Sequence, residues 1–581
     1  MYIKNKFEQV EIMKNGNFAK LYTPEGEKLS GGDIPLSVYP RPRMVRSSYL
    51  CLNGEWDFGW GKSPKYGEKI LVPFPPQSLL SRIEKKISQS DTLFYKRSFT
   101  LPESFSRGER IIIHIGAADQ YASVYLNGKR LGEHEGGYES FSFDITEHLE
   151  PINELKITVR DELDSFVLPY GKQCEKRGGM WYTPFSGIWQ TVWLESVPEN
   201  HITGVSADCD TECAIIKVTA SGKNDGVLIF EGEEIPLADG MARIKPADPI
   251  LWSPENPHLY YFKVRLGKDE ISSYFALRKI ESRVIAGIPR LCLNGKPYFF
   301  HGVLDQGYFS DGICTPADSV SFERDIKLMK EMGFNTLRKH IKTEPEQFYY
   351  DCDRLGMIVF QDMINNGPYS FIRDTALPTV GLKCLPDKFM HRNKKTRAAF
   401  ERSAVQTVMR LKNHPSVCYF TIFNEGWGQF DSEKMYHKIK AIAPNHIIDT
   451  ASGWFKGAES DVVSPHVYFK PVKIKKADKP IVLSEFGGYS HSPEGHVFNP
   501  YKTYGYKLFE STKDLENAIV GLYEKEIIPA VKNGLCGAIL TQFSDVEDET
   551  NGLVTYDRKL VKVSKGRMQR IAEKLYKEIE K

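Results

Sequence analysis

The sequence has no long hydrophobic run. No stretch of about 18 apolar residues occurs among its 581, which excludes a helical membrane span. It has little excess charge of either sign: 77 Lys+Arg stand against 75 Asp+Glu, a formal +2, so bulk electrostatics give no reason to expect a nucleic-acid partner. Its ten cysteines are scattered, and the close pair Cys209 and Cys213 lacks a second Cys or His pair at zinc-ligand spacing. They read as free thiols rather than a disulfide frame or a metal site. There is no G-x-x-x-x-G-K-[ST] loop and no H-E-x-x-H pair, which removes the usual phosphoryl-transfer and zinc-hydrolase signatures. The start, MYIKNKFEQVEIMKNGNFAK, has neither an apolar core nor a small-residue cleavage site, so a cytoplasmic location is expected. No repeat of about 20–50 residues or low-complexity tract is present.

What is present falls into three stretches. Residues 1–196 carry β punctuation: Asn53-Gly54 and Asn127-Gly128 are hairpin signals, and Tyr121-Ala-Ser-Val-Tyr-Leu126 alternates before the second. A β-sandwich is expected, with Trp56, Trp181, Trp189 and Trp193 as its core or as a sugar-stacking surface. Residues 197–282 suit a small immunoglobulin-like sandwich, with Phe262, Val264 and Leu266 alternating with Lys263 and Arg265. From 283 to 581 strands alternate with amphipathic helices. Phe322, Ile326 and Met329 share one helical face before Gly333, and Phe400, Ala404, Val408 and Leu411 share another. Eight strand candidates end near Leu304, Arg338, Asp362, Asn424, Asp449, His466, Glu485 and Phe543, which predicts a (β/α)8 barrel.

Active sites of such barrels lie at the C-terminal strand ends, so a polar residue that abruptly ends an apolar strand is a candidate. Glu425 ends Tyr419-Phe-Thr-Ile-Phe-Asn-Glu425 on strand four, and Glu485 ends Ile481-Val-Leu-Ser-Glu485 on strand seven. Two carboxylates facing each other there supply what glycoside hydrolysis needs: an acid for the leaving oxygen, and a nucleophile or base for the anomeric carbon. Asn424 is placed to bind a sugar hydroxyl, and Arg338 to hold Glu485 ionised. For each, a structural role is the competing reading.

The chain resembles the three-domain exo-β-glycosidases of glycoside hydrolase family 2. In the first sandwich the resemblance rests on Leu52-Asn-Gly-Glu-Trp-Asp-Phe58, Val72-Pro-Phe-Pro75, Tyr95-Lys-Arg97, Val124-Tyr-Leu-Asn-Gly128, Gly132-Glu-His-Glu-Gly-Gly-Tyr138 and Gly187-Ile-Trp-Gln190. In the barrel it rests on Phe423-Asn-Glu-Gly-Trp427, Ser484-Glu-Phe-Gly487 and Asp545-Val-Glu-Asp-Glu-Thr-Asn-Gly552. It implies a jelly-roll-like sugar-binding-type sandwich, an immunoglobulin-like sandwich and a catalytic barrel acting with retention of configuration. Glu425 then looks like the acid/base, Glu485 the nucleophile and Asn424 the ligand of the 2-hydroxyl. His466 and Tyr468 resemble residues flanking the glycone, with Tyr468 placed to hydrogen-bond the nucleophile. Trp454 is a stacking candidate, and Asp305, Asp362 and Gln542 are candidate hydroxyl ligands or structural residues.

Departures bear on the substrate. The family's Gly-Val-Asn-Arg-His run is here Gly302-Val-Leu-Asp-Gln-Gly-Tyr308, and its Arg-x-Ser-His-Tyr pattern is Arg338-Lys-His-Ile341, which leaves His340 and Lys339 without carried-over roles. The Asn-x-Lys reader of a uronic carboxylate is not recognisable in Asn551-Gly-Leu-Val-Thr-Tyr-Asp-Arg558. The expectation is therefore a retaining exo-β-glycosidase for a neutral glycone, β-galactoside first. The alternatives are a β-glucuronidase-type uronide hydrolase and an inactive carbohydrate-binding protein on the same scaffold. An oligosaccharide or small glycoside is the expected partner, with no cofactor or metal, no nucleic acid or membrane, and a homo-oligomer consistent with the family.

Overall fold

The computed structural model describes residues 18–105, 109–377, 387–453 and 459–581. Trp454 and most of the segment behind the leader expectation lie outside them. The first sandwich packs a six-stranded antiparallel sheet against a four-stranded one. The larger runs Glu68–Val72, Gly54–Gly61, Thr92–Phe99, Asn153–Arg160, Tyr121–Leu126, Lys129–Glu135, and the smaller Leu50–Cys51, Val192–Val197, Arg110–Ile115, Phe141–Asp144. Alternation along these strands sends Trp56, Phe58, Tyr95, Ile113, Val124 and Ile157 into one core. Each such side chain, fully buried, contributes about 1.5–3 kcal/mol. Of the four tryptophans, Trp56 lies in this core, Trp189 is buried in a separate cluster with Tyr308 and Ile364 of the barrel, Trp193 is buried against His114 outside the core, and Trp181 is half-buried near the barrel mouth.

The two Asn-Gly signals have different outcomes. Asn127 (φ 48°) and Gly128 (φ 78°) join Tyr121–Leu126 to Lys129–Glu135 as a two-residue hairpin. Asn53-Gly54 is no hairpin, because its flanking strands belong to different sheets. The Asn53 side chain accepts from the Val192 amide (3.0 Å) and donates to the Pro35 carbonyl (2.9 Å), stitching one sheet edge where the chain crosses.

The next unit pairs a three-stranded with a four-stranded antiparallel sheet between Ile202 and Phe275, and the alternating Phe262, Val264 and Leu266 are buried in its core. The ribbon Ile280–Ile285, Ile288–Leu293 follows, its Leu291 and Leu293 packing in one cluster with Phe300, Phe360 and Tyr419 of the barrel. That cluster fills the N-terminal end of the barrel and leaves the opposite end for polar residues.

The barrel strands are β1 (Phe300–Asp305), β2 (Thr336–Lys339), β3 (Ile358–Asp362), β4 (Val417–Asn424), β5 (Ile447–Ser452), β6 (His466–Val467), β7 (Ile481–Gly487) and β8 (Leu535–Thr541). They are parallel, in the order β5-β4-β3-β2-β1-β8-β7-β6. The remaining seam is spanned by the Gly453 amide, which donates to the Ser464 carbonyl at 2.9 Å. Helices α1 (Val320–Glu331) and α2 (Lys394–Leu411) bury the predicted faces, and Gly333 (φ 82°) follows the first. β8 ends at Thr541 rather than near Phe543, so Gln542 is the first residue beyond it.

Candidate active site

The barrel mouth brings Arg338, Asp362, Asn424, Glu425, His466 and Glu485 together from the ends of β2, β3, β4, β6 and β7. Arg338 is 1% exposed and holds the group in register. Its Nε donates to both Asp362 oxygens (2.9 and 3.1 Å), Nη2 to Asn424 Oδ1 (2.9 Å), and Nη1 to the Ser484 carbonyl and Glu485 Oε1 (both 3.0 Å). Because Asn424 accepts through its oxygen, its amide nitrogen remains as a donor toward the mouth.

Glu425 follows directly on β4 in a left-handed turn (φ 53°), its amide donating to the Ser452 carbonyl at 2.9 Å. His466 bridges the two glutamates: Nδ1 lies 2.8 Å from Glu425 Oε1 and 3.5 Å from Glu485 Oε2, and Nε2 lies 2.8 Å from Ser452 Oγ. An oxygen of Glu425 and one of Glu485 lie within 4.8 Å of each other. Tyr468 donates to Glu485 Oε2, so both Glu485 oxygens are held by donors. Burial works against an ionised Glu485, but the charges of His466 and Arg338 and the Tyr468 hydrogen bond outweigh it and keep the carboxyl below the usual carboxylate range. Burial likewise opposes ionisation of Asp362, and Arg338 and His340 reverse it.

Other predicted residues sit deeper. Asp305 accepts from Lys339 Nζ (2.5 Å) and the Gly307 amide (2.9 Å), and Lys339 also donates to Glu344 (2.9 Å). Both are buried, and the Lys339 ammonium is held between these two carboxylates. His340 Nδ1 lies 2.7 Å from Asp362 Oδ2. Gln542, fully buried, accepts from Gln306 (2.7 Å) and donates to Asn551 (2.8 Å). Two groups among the described residues have ligand atoms close enough for a metal: Glu425, His466 and Glu485, and the exposed Glu433, His437 and Glu459. In the first, a cation would compete with the Arg338 guanidinium beside Glu485.

Sequence reasoning missed Tyr506, which stacks on Tyr468 (centroids 3.9 Å apart, 11° between planes) and backs the ring that touches Glu485. It lies in the loop after β7, where no periodicity marks it. It also missed the rim cluster in which Trp181 packs edge-on against Trp427 and Tyr369, each at 5.0 Å, and Lys172, which the first sandwich carries to the mouth.

Comparison with known proteins agrees with this architecture. Residues 288–573 match the family model for the glycosyl hydrolases family 2 TIM barrel domain, 76–177 the glycosyl hydrolase 2 galactose-binding domain-like model, and 208–278 the glycosyl hydrolases family 2 model. The β-glucuronidase of Canis lupus familiaris is 26% identical over 506 residues, 76% of this chain and 73% of that protein. A β-galactosidase of Thermoanaerobacter pseudethanolicus is 26% identical over 344 residues, 54% and 44% of the two chains. Among solved structures, an uncultured Clostridium sp. β-glucuronidase has a TM-score of 0.70 at 18% identity, covering 93% of this chain and 99% of its own. A β-galacturonidase from Eisenbergiella tayi has 0.66 at 17% identity, covering 91% and 97%. With three models of one family spanning sandwich, middle unit and barrel in order, the chain belongs to glycoside hydrolase family 2 and is an exo-β-glycosidase.

Proposed function

We propose that Glu485 is the nucleophile and Glu425 the general acid/base of a retaining hydrolysis of a terminal β-linked sugar. The observation that carries this reading is the separation of the two carboxylates, with oxygens within 4.8 Å. That suits the roughly 5–5.5 Å of a double-displacement pair and leaves no room for the water of a single displacement, which needs about 6.5–9.5 Å. Glu485, held ionised by Arg338 and Tyr468, attacks the anomeric carbon. Glu425 protonates the departing oxygen and then takes a proton from the water that cleaves the glycosyl ester. Asn424 donates to the 2-hydroxyl, and the rim aromatics flank the aglycone.

Two glycone readings follow from different observations. The missing Asn-x-Lys element favours a neutral sugar, with β-galactoside first, and Lys339, the lysine beside Arg338 on β2, is already engaged by Asp305 and Glu344. The uronide reading is favoured by Lys172, whose ammonium has no partner among the described residues, and by the names of relatives, which include β-glucuronidases and a β-galacturonidase. A panel of aryl β-galactoside, β-glucuronide, β-galacturonide, β-mannoside and β-glucoside tests the assignment. Turnover of at least one that vanishes in Glu485→Gln supports it, and turnover surviving that substitution rejects it.

A further inference from the structure

Resting on the reading of Glu485 and Glu425 as the reacting pair, we propose that Lys172 of the first sandwich determines glycone specificity, its ammonium pairing with the C6 carboxylate of a β-D-uronide. The reader of the sugar's charge then comes from a different unit than the reacting groups.

Among the described residues, cations built into the barrel mouth already have partners. Arg338 is engaged by Asp362, Asn424 and Glu485, Lys339 by Asp305 and Glu344, Lys342 by Glu344, Arg177 by Glu547 and Asp548, and Lys562 by Asp545. Lys172 differs. It is half-buried, and its ammonium makes no ion pair or hydrogen bond among the described residues. Nor is that ammonium among the sealed, partnerless polar atoms, so it faces open space.

Its place is set by its main chain. The Lys172 carbonyl accepts from the Tyr182 amide at 3.0 Å, and the Gly171 amide donates to the Asn365 carbonyl at 3.2 Å. A Cβ on Gly171 (φ 65°) would lie 2.8 Å from the Ile341 carbonyl oxygen, so the segment rests directly on the loop after β2. On the other side Tyr182 donates to Glu549 in the loop after β8. Lys172 therefore stands between the ends of β2 and β8, beside His340, whose Nδ1 is 4.0 Å from Glu485 Oε1. Its charge is felt on both sides: after burial, it is the largest influence lowering the His340 pKa and the largest favouring ionised Glu549. Glu549 does not quench it by contact, since Tyr182 and Asn551 occupy its two oxygens. A carboxylate entering a pocket of this kind needs a cation not already paired, and Lys172 supplies one without an Asn-x-Lys element in the barrel.

The test measures kcat/KM of the full chain for 4-nitrophenyl β-D-glucuronide, β-D-galacturonide and β-D-galactoside, with Lys172→Met and Lys172→Arg beside the wild type and their melting curves recorded. The expected result is preference for one uronide, its identity reporting the C4 configuration read. Lys172→Met should cut the uronide-to-galactoside ratio by about 100-fold, mainly through KM, and Lys172→Arg should keep most of it. A wild type that prefers the galactoside, or a Lys172→Met enzyme in which all three substrates fall alike, overturns the proposal and leaves the reacting pair untouched. Failure of that pair would show separately, as Glu485→Gln retaining turnover.

Discussion

Arg338 and Glu485 form a buried ion pair, Nη1 to Oε1 at 3.0 Å, and the same guanidinium holds Asp362 of β3 and Asn424 of β4. One side chain from β2 thereby joins His466 in favouring the ionised form of the proposed nucleophile and fixes the orientation of the Asn424 amide. A purely structural arginine would tie strands together but need not touch Glu485.

Replacing Arg338 by Met should raise the Glu485 pKa, because a favourable charge leaves while burial remains. Since attack requires the carboxylate, the acid limb of the kcat/KM profile should move to higher pH, by about 1 unit or more. The same depressed pKa stabilises the fold above the ordinary carboxylate value of 4.5, and that contribution is lost as pH falls through the folded value. An unchanged acid limb in Arg338→Met would refute its electrostatic role.

Glu485→Gln should remove turnover, by about 10⁴-fold or more, while keeping the fold. A 2-fluoro glycoside of the accepted sugar should label Glu485 in the wild type, read by peptide mass spectrometry. A label on another carboxylate would mean that β7 does not carry the nucleophile.

Glu425→Ala should slow substrates with poor leaving groups far more than those with activated phenols, which hardly need protonation. Azide should then capture the glycosyl-enzyme and yield a β-glycosyl azide. Equal losses across leaving groups, with no azide adduct, would place the acid elsewhere.

His301, buried in β1, contacts the Gly333 carbonyl through Nδ1 and the Tyr523 hydroxyl through Nε2, both at 3.0 Å. Burial pushes its pKa down from 6.5 to about 4, partly offset by the Gly333 carbonyl. The folded state thus resists a proton that the unfolded chain accepts, so stability is complete above about pH 6.5 and declines as pH falls toward 4. The loss amounts to about 3 kcal/mol at 1.36 kcal/mol per pKa unit. Between pH 7.5 and 4.5, Tm should fall less for His301→Gln than for the wild type.

Gly488 has φ 64°, and a Cβ there would lie 2.2 Å from the Tyr506 ring. Gly488→Ala should displace Tyr506 from Tyr468 and lower kcat by about tenfold or more. Gly521, in helix Thr512–Leu522, has nothing within 4 Å of its added Cβ. Gly521→Ala should instead raise stability by about 0.4–1 kcal/mol with kcat unchanged. Melting curves beside steady-state rates separate the two outcomes.

Much of the architecture is local in origin and was therefore legible in the chain. Period-two alternation in Tyr260–Leu266 and helical spacing from Phe322 to Met329 state which side is buried, since the pleat and the helix repeat are properties of neighbouring residues. Apolar strands that end abruptly in Asn424-Glu425 and Ser484-Glu485 mark the mouth for the same reason. Partnership is not local. Asn53-Gly54 and Asn127-Gly128 are the same dipeptide, yet the first bonds Val192 across a sheet boundary and only the second turns a hairpin. Lys339 and Lys172 are both lysines near the mouth. Asp305 and Glu344 compensate the buried charge of one, while docking of Tyr170 and Gly171 on Asn365 leaves the other facing open space. Ion pairs such as Arg177 with Glu547 join residues 370 positions apart. Which charges cancel and which stay available was therefore decided by tertiary packing, because an electrostatic interaction depends on distance through space and not on separation along the chain.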